Sequence, residues 1–141
     1  MQQASRSIAV TTGGRGFTDI TGQVEGFVRE QSIGTGLLTV FCRHTSASLL
    51  IQENADPNVL RDLETFFRKL VPEGDHYRHD DEGPDDMPGH IRSVLTQSSL
   101  SIPVMNGHPM LGTWQAIYLY EHRARSHRRE IVLHLIGEGP A

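Results

Sequence analysis

The chain has 141 residues and a formal charge of −4, from 13 basic and 17 acidic side chains, with eight histidines and a single cysteine. That length suits one domain with a real core, since domains commonly take about 100–200 residues. The charge balance argues against a nucleic-acid partner, Cys42 alone excludes a disulfide framework or a cysteine-rich zinc site, and no stretch approaches the ~20 apolar residues of a membrane span. Met1–Val10 lacks the basic and apolar regions of a signal peptide, so the expectation is a cytoplasmic protein with no membrane partner.

In chain order, Ser5 to Thr12 alternates about Ile8 and Val10 and predicts a strand that ends at Gly13–Gly14. Ile20, Val24, Phe27 and Val28 fall at helical spacing, with Thr18 or Asp19 placed to cap, and that helix ends near Ser32–Gly34. Gly36 to His44 and Ser46 to Gln52 are rich in β-branched and apolar residues and predict one bent strand or two. Asp56 before Pro57 reads as a helix cap with proline in the first turn, and Leu60, Leu63, Phe66, Phe67 and Leu70 trace one apolar stripe closed by Val71–Pro72. Residues 73–89 read as a loop, and a short helix follows over Met87 to Gln97. Leu100 to Met105, a turn at Asn106–Gly107, a long strand from Met110 to Glu121, a basic turn and Glu130 to Ile136 complete the chain. Hairpins mixed with three separated helices, without βαβ alternation, predict an α+β class: a single compact domain over 1–141 with a mostly antiparallel, sandwich-like two-layer β core.

Charge is unevenly spread. Glu73, Asp75, Asp80, Asp81, Glu82, Asp85 and Asp86 crowd one segment with His76 and His79, whereas Arg123, Arg125, Arg128 and Arg129 crowd another, with His122 and His127 adding possible positive charge. The first reads as a metal or acid/base site and the second as an anion-binding patch; solvated surface loops are the alternative for both. His76, His79, Asp80 and Asp81, with His90 eleven residues beyond His79, supply nitrogen and carboxylate donors suited to zinc or another first-row divalent metal. His44 ends an apolar strand beside Thr45, Ser46 and Ser48, where an imidazole serves as ligand, as general base, or simply as a partner of a backbone carbonyl. Glu53, Asn54 and Asp56 precede a helix, where an acidic cap most often serves the helix itself. In Gly112–Thr113–Trp114–Gln115, Trp114 reads as core, and Thr113 and Gln115 as ligand contacts. His134 reads as a satisfied structural histidine, and His108 and His127 as solvent-facing.

Several segments together resemble one family, the YjbQ-type proteins often called secondary thiamine-phosphate synthase. They are His44–Thr45–Ser46–Ala47–Ser48, Glu53–Asn54–Ala55–Asp56–Pro57, Tyr77–Arg78–His79–Asp80–Asp81–Glu82–Gly83, Asp85–Asp86–Met87–Pro88–Gly89–His90–Ile91, Ile102–Pro103–Val104, Gly112–Thr113–Trp114–Gln115 and Gly137–Glu138. The resemblance spans nearly the whole chain in matching order. Gly89 departs, standing where relatives commonly carry another small residue, and Cys42 is no part of the pattern. It implies a homotrimer with a site near subunit contacts and a divalent metal, zinc or magnesium, on His44, His79 and His90. It also implies a reaction that joins a pyrimidine diphosphate to a thiazole phosphate with release of diphosphate. On that reading His44, Glu53, Asp86 and Gln115 are the catalytic candidates, Asp81 being a further base or ligand. Thr45, Ser46, Thr113, Gln115 and Arg123 would contact a small phosphorylated substrate. The competing expectation is a non-catalytic metal- or phosphate-binding homotrimer.

Overall fold

In a computed structural model, which describes residues 1–74 and 76–140, the elements run β1 (Gln2–Thr11), β2 (Gly16–Asp19), α1 (Thr21–Arg29), β3 (Thr35–Cys42), β4 (Ala47–Glu53), α2 (Pro57–Leu70), α3 (Asp86–Leu95), β5 (Ser99–Met105), β6 (His108–Pro109), β7 (Gln115–Glu121) and β8 (Arg128–Glu138). Asp75, counted above in the acidic run, and Ala141 lie outside the described residues. The strands form a five-stranded sheet in the order β1-β8-β3-β5-β6 and a three-stranded sheet in the order β2-β7-β4, and every pair is antiparallel. Because side chains alternate along a strand, β3 sends Leu38, Val40 and Cys42 inward, and β8 sends Ile131, Leu133 and Leu135. From the smaller sheet Leu49, Ile117 and Leu119 meet them, and α1 adds Val24, Phe27 and Val28 to the same core. The expected α+β sandwich is therefore present. No helix among the described residues is long and apolar enough to cross a membrane.

The other face of the three-stranded sheet is covered by polar and aromatic contacts. Tyr120 stacks on Phe17 with ring centroids 4.0 Å apart and meets the Phe67 ring edge-on at 5.9 Å. Asp56 caps α2 as its position suggests, its Oδ1 accepting from Asn58 N at 2.9 Å. The apolar stripe of α2 is only half used, however: no residue of the helix is fully buried, and Phe66 and Leu70 stay exposed. The β7 strand starts at Gln115, five residues later than expected, because its ladder with β4 ends at the Glu53–Gln115 pair. Beyond that pair the chain turns, Gln115 Oε1 accepting from Gly112 N at 2.7 Å. Trp114, expected in the core, is instead 64% exposed.

Where β3, β8 and β1 run side by side, Gly36 and Gly137 face each other. A Cβ on Gly137 would lie 2.1 Å from the Thr35 carbonyl oxygen and 2.6 Å from Gly36 Cα, both backbone atoms that cannot swing aside. Overpacking of this kind destabilises by about 1–3 kcal/mol. Gly137→Ala is therefore expected to lower stability by about 2 kcal/mol, read as a lower urea midpoint. Gly22→Ala, in α1 with nothing within 4 Å of its Cβ, is expected to raise stability by about 0.5–1 kcal/mol. Equal shifts for the two variants would contradict the close strand approach.

Candidate metal centre

The start of α3 builds the centre. Asp86 and His90 stand four residues apart and so share one helix face. Asp86 is buried, and its Oδ2 lies 2.7 Å from His79 Nε2 and 3.1 Å from His90 Nε2. Its Oδ1 accepts from Arg123 NH1 at 2.8 Å. One donor atom from each of His79, Asp86 and His90 falls within 4.8 Å of the others, and His79 forms a second, exposed group with Asp81 and Glu82. Two imidazoles and one carboxylate are a donor set for zinc and other first-row divalent ions, whereas magnesium prefers oxygen ligands.

Protons sharpen this. A carbonyl can only accept, so the 3.0 Å contact of His90 Nδ1 with the Thr45 oxygen is an N–H donation. A neutral His90 then turns a bare Nε2 lone pair toward Asp86 Oδ2, two acceptors face to face. A proton or a metal ion between them removes the conflict, and a backbone carbonyl that orients a ligating imidazole is a common outer-shell arrangement. For His79 the bond to Asp86 outweighs desolvation and raises the pKa, with Asp81 and Glu82 adding to the rise. Burial alone would raise the pKa of Asp86, but the His79 bond and the charges of His90 and Arg123 outweigh it and hold the carboxyl below its usual value.

The surrounding loop is clamped rather than open. Arg123 donates from Nε to Asp85 Oδ2 at 2.9 Å, from NH1 to Asp86, and from NH2 to the Glu82 carbonyl at 2.8 Å. Its fork is thereby engaged within the chain, on Asp85, Asp86 and the Glu82 carbonyl. Asp85 also accepts from Ala124 N, and these bonds overcome its burial and bring its pKa to about 2. Behind the clamp, Glu121 is fully buried and accepts from Arg129 Nε at 2.9 Å, from Arg129 NH2, from Thr12 Oγ1 at 2.7 Å and from Arg123 N at 3.1 Å. Burial raises its pKa less than these bonds lower it, so it stays ionised. Arg129 NH2 also reaches the Ser46 carbonyl and its Oγ at 3.2 and 3.0 Å, which fixes the segment whose Thr45 carbonyl holds His90. The basic turn is therefore partly interior: Arg129 is buried, and His122 is buried and pushed down to about 3 by desolvation and by Arg92, Arg129 and Arg15, so it carries no charge.

Other candidates fall elsewhere. His44 is not among the clustered donors. Its Nε2 accepts from Glu130 N at 2.8 Å, and burial lowers its pKa, so the ring is neutral with its proton on Nδ1. It does border His90 across a cleft of about 440 Å³, shared with Thr45, Ser93, Val94, Thr96 and Ser98. Ser46 is buried and bonded to Arg129, so it does not present its hydroxyl to a ligand. Glu53, Thr113 and Gln115 belong to the opposite end of the β4–β7 ladder from Ala47 and Glu121. Six residue steps separate the two ends, roughly 20 Å, so within one protomer these three cannot join the triad. Among the described residues His76 and Asp80 are exposed and outside the donor groups. His127 is half-buried with Nδ1 against the Arg125 carbonyl, and His134 pairs with Gln3. A carboxylate four residues before a histidine at a helix start was the signal that places Asp86 in His44's expected position.

Comparison with known proteins settles the lineage. A family described as UPF0047 protein YjbQ-like matches residues 6–138. The chain belongs to the YjbQ family. Its relatives include the UPF0047 protein sll1880 of Synechocystis, 51% identical over 97% of this chain and 94% of that protein. YjbQ of Escherichia coli O157:H7 is 41% identical, over 94% of this chain and 97% of its own. Among solved structures, a hypothetical protein from Aeropyrum pernix K1 superposes with a TM-score of 0.88 at 31% identity, covering 96% of this chain and 99% of that one. A YjbQ/UPF0047 protein from Clostridium acetobutylicum gives 0.86 at 36% identity, covering 93% and 99%.

Proposed function

We propose that the protein is a metal-assisted transferase acting on a small phosphorylated molecule, with a divalent ion on His79, Asp86 and His90. The observation that carries this reading is the convergence of His79, Asp86 and His90, with Asp86 Oδ2 2.7 Å from His79 Nε2 and 3.1 Å from His90 Nε2 while the Thr45 carbonyl orients the His90 ring. When bound, such an ion supplies Lewis-acid polarisation of a phosphoryl or diphosphate oxygen. The chain's own residues do the positioning. Thr45 sets the His90 tautomer, Asp86 aligns both rings, and Arg123 keeps Asp86 ionised and aimed. Neutral His44 offers an N–H donor at the cleft beside His90. That cleft, at about 440 Å³, falls in the usual range for small-molecule sites. The specific reaction, joining a pyrimidine diphosphate to a thiazole phosphate, is carried from the family resemblance. So is the trimer, in which a neighbouring copy brings Glu53, Thr113 and Gln115 to the site; the cytoplasmic setting rests on the lone cysteine, which suits a reducing compartment.

A second reading, a non-catalytic metal- or phosphate-binding homotrimer, is favoured by one observation: those same three polar residues are remote from the triad in the protomer.

Zinc titration of the metal-stripped protein tests the centre that both readings share, and a turnover assay separates them. One equivalent is expected to bind, and His90→Ala is expected to weaken it at least about 100-fold, beyond the 10–100-fold typical of outer-shell changes. Bound zinc competes with the proton on His79, whose pKa is raised. The stabilisation conferred by zinc is therefore expected to grow as the pH rises through the raised His79 pKa, above the ordinary 6.5, as that proton leaves. Zinc affinity unchanged in His90→Ala would remove the metal centre. Diphosphate release that requires both metal and substrates supports the transferase, and metal-dependent stability without turnover supports the binding module. Light scattering in solution reports the trimer.

A further inference from the structure

A separate cleft of about 280 Å³ shares no residue with the triad and is walled by Arg15, Arg68, Val71, Pro72, Glu73 and Arg92. Arg92 is buried and sends NH1 to both oxygens of Glu64, at 3.1 and 3.0 Å. The hydroxyl of Tyr120 donates to the same carboxylate. Arg15 stands 4.0 Å from Glu64, and its Nε is buried with no hydrogen-bond partner. Two guanidinium groups thus share one inner carboxylate. The remaining charge is met by Glu73, which bonds Arg15 NH2 from the rim with its side chain 41% exposed.

The charges nearly balance. Arg15, Arg68 and Arg92 face two carboxylates, Glu64 and Glu73. The C-terminal end of α2, beside Arg68 and Val71, contributes about half a negative charge. Three guanidinium groups exceed the two carboxylates and the helix end by about half a charge. Arginine forks match the oxygens of phosphate and carboxylate in geometry as well as sign.

We propose that this cleft binds an oxyanion, a phosphate group or a carboxylate on a small molecule, seated on Arg15, Arg68 and Arg92 where the Glu73 carboxylate now rests. Glu73 is the built-in competitor, and it opens the segment that leads to His79 and Asp86.

The test is calorimetric titration of the full-length protein, kept metal-free with chelator and at constant ionic strength, with inorganic phosphate in one arm and acetate in the other. Chelation keeps the result independent of the triad. Saturable uptake of one equivalent is expected, and the tighter of the two anions identifies the ligand chemistry. Arg68→Gln, an exposed change, is expected to weaken binding about tenfold, the effect of losing one charge-assisted contact. Glu73→Gln is expected to tighten it severalfold by removing the competitor. No saturable uptake of either anion, or affinities that neither substitution moves, would overturn the proposal.

Discussion

Replacing Arg129 by methionine is expected to destabilise the fold by about 3–5 kcal/mol, because it leaves Glu121 ionised, fully buried and without its guanidinium partner. A typical domain is stable by only about 5–15 kcal/mol, so this single change removes about a fifth of the margin or more. The double variant Arg129→Met with Glu121→Leu is expected to recover much of the loss, since replacing both members of a buried pair by apolar groups is often close to neutral. It does not recover all of it, because Thr12 and the Arg123 amide lose an acceptor. Urea denaturation of the three variants reads the cycle directly. The single change also frees Ser46 from Arg129, so zinc affinity falls with it. A destabilised control such as Gly137→Ala separates that loss from general loosening. Arg129→Met within 1 kcal/mol of the parent would contradict the pair's role.

Arg123→Met is expected to lower zinc affinity by about 10–100-fold, the usual effect of removing an outer-shell partner, through loss of the bonds to Asp85, Asp86 and the Glu82 carbonyl. Arg123→Lys keeps the charge and loses the fork, so it is expected to fall between. The same variant alters acid stability. Asp85 has a folded pKa of about 2 against an ordinary value of 3.8. Its contribution is therefore present above about pH 4 and lost as the pH falls through about 2. That shift corresponds to about 2 kcal/mol. Arg123→Met is expected to flatten the dependence of stability on pH between 4 and 2. An unchanged acid profile with unchanged zinc affinity would make Arg123 a surface residue after all, open to the substrate contact that its position in the basic run suggests.

Much of the secondary structure was legible because local chemistry decides it. Asp56 before Pro57 caps α2 whatever lies around it, and the alternation about Leu38, Val40 and Cys42 has one inward face in any sheet. Trp114 was not legible. Whether Met110–Trp114 extends a strand depends on how far the partner strand runs, and β4 ends opposite Gln115. The charge of His122 was equally hidden, since a histidine in an arginine-rich run reads as a cation until burial and three neighbouring guanidinium groups make it neutral.

By itself the sequence determined the family, the α+β class and the segments that carry the donors, because motif order and hydrophobic period are properties of the chain read in one dimension. Which imidazoles meet was left to the tertiary structure. Helix pitch brings Asp86 beneath His90, the arginine clamp draws His79 over both, and the β8 backbone occupies the nitrogen that His44 would have offered. The physical reason is that a ligand set is defined by distances of a few ångströms among atoms far apart in the chain, and only packing, with its competition for every hydrogen-bond partner, sets those distances.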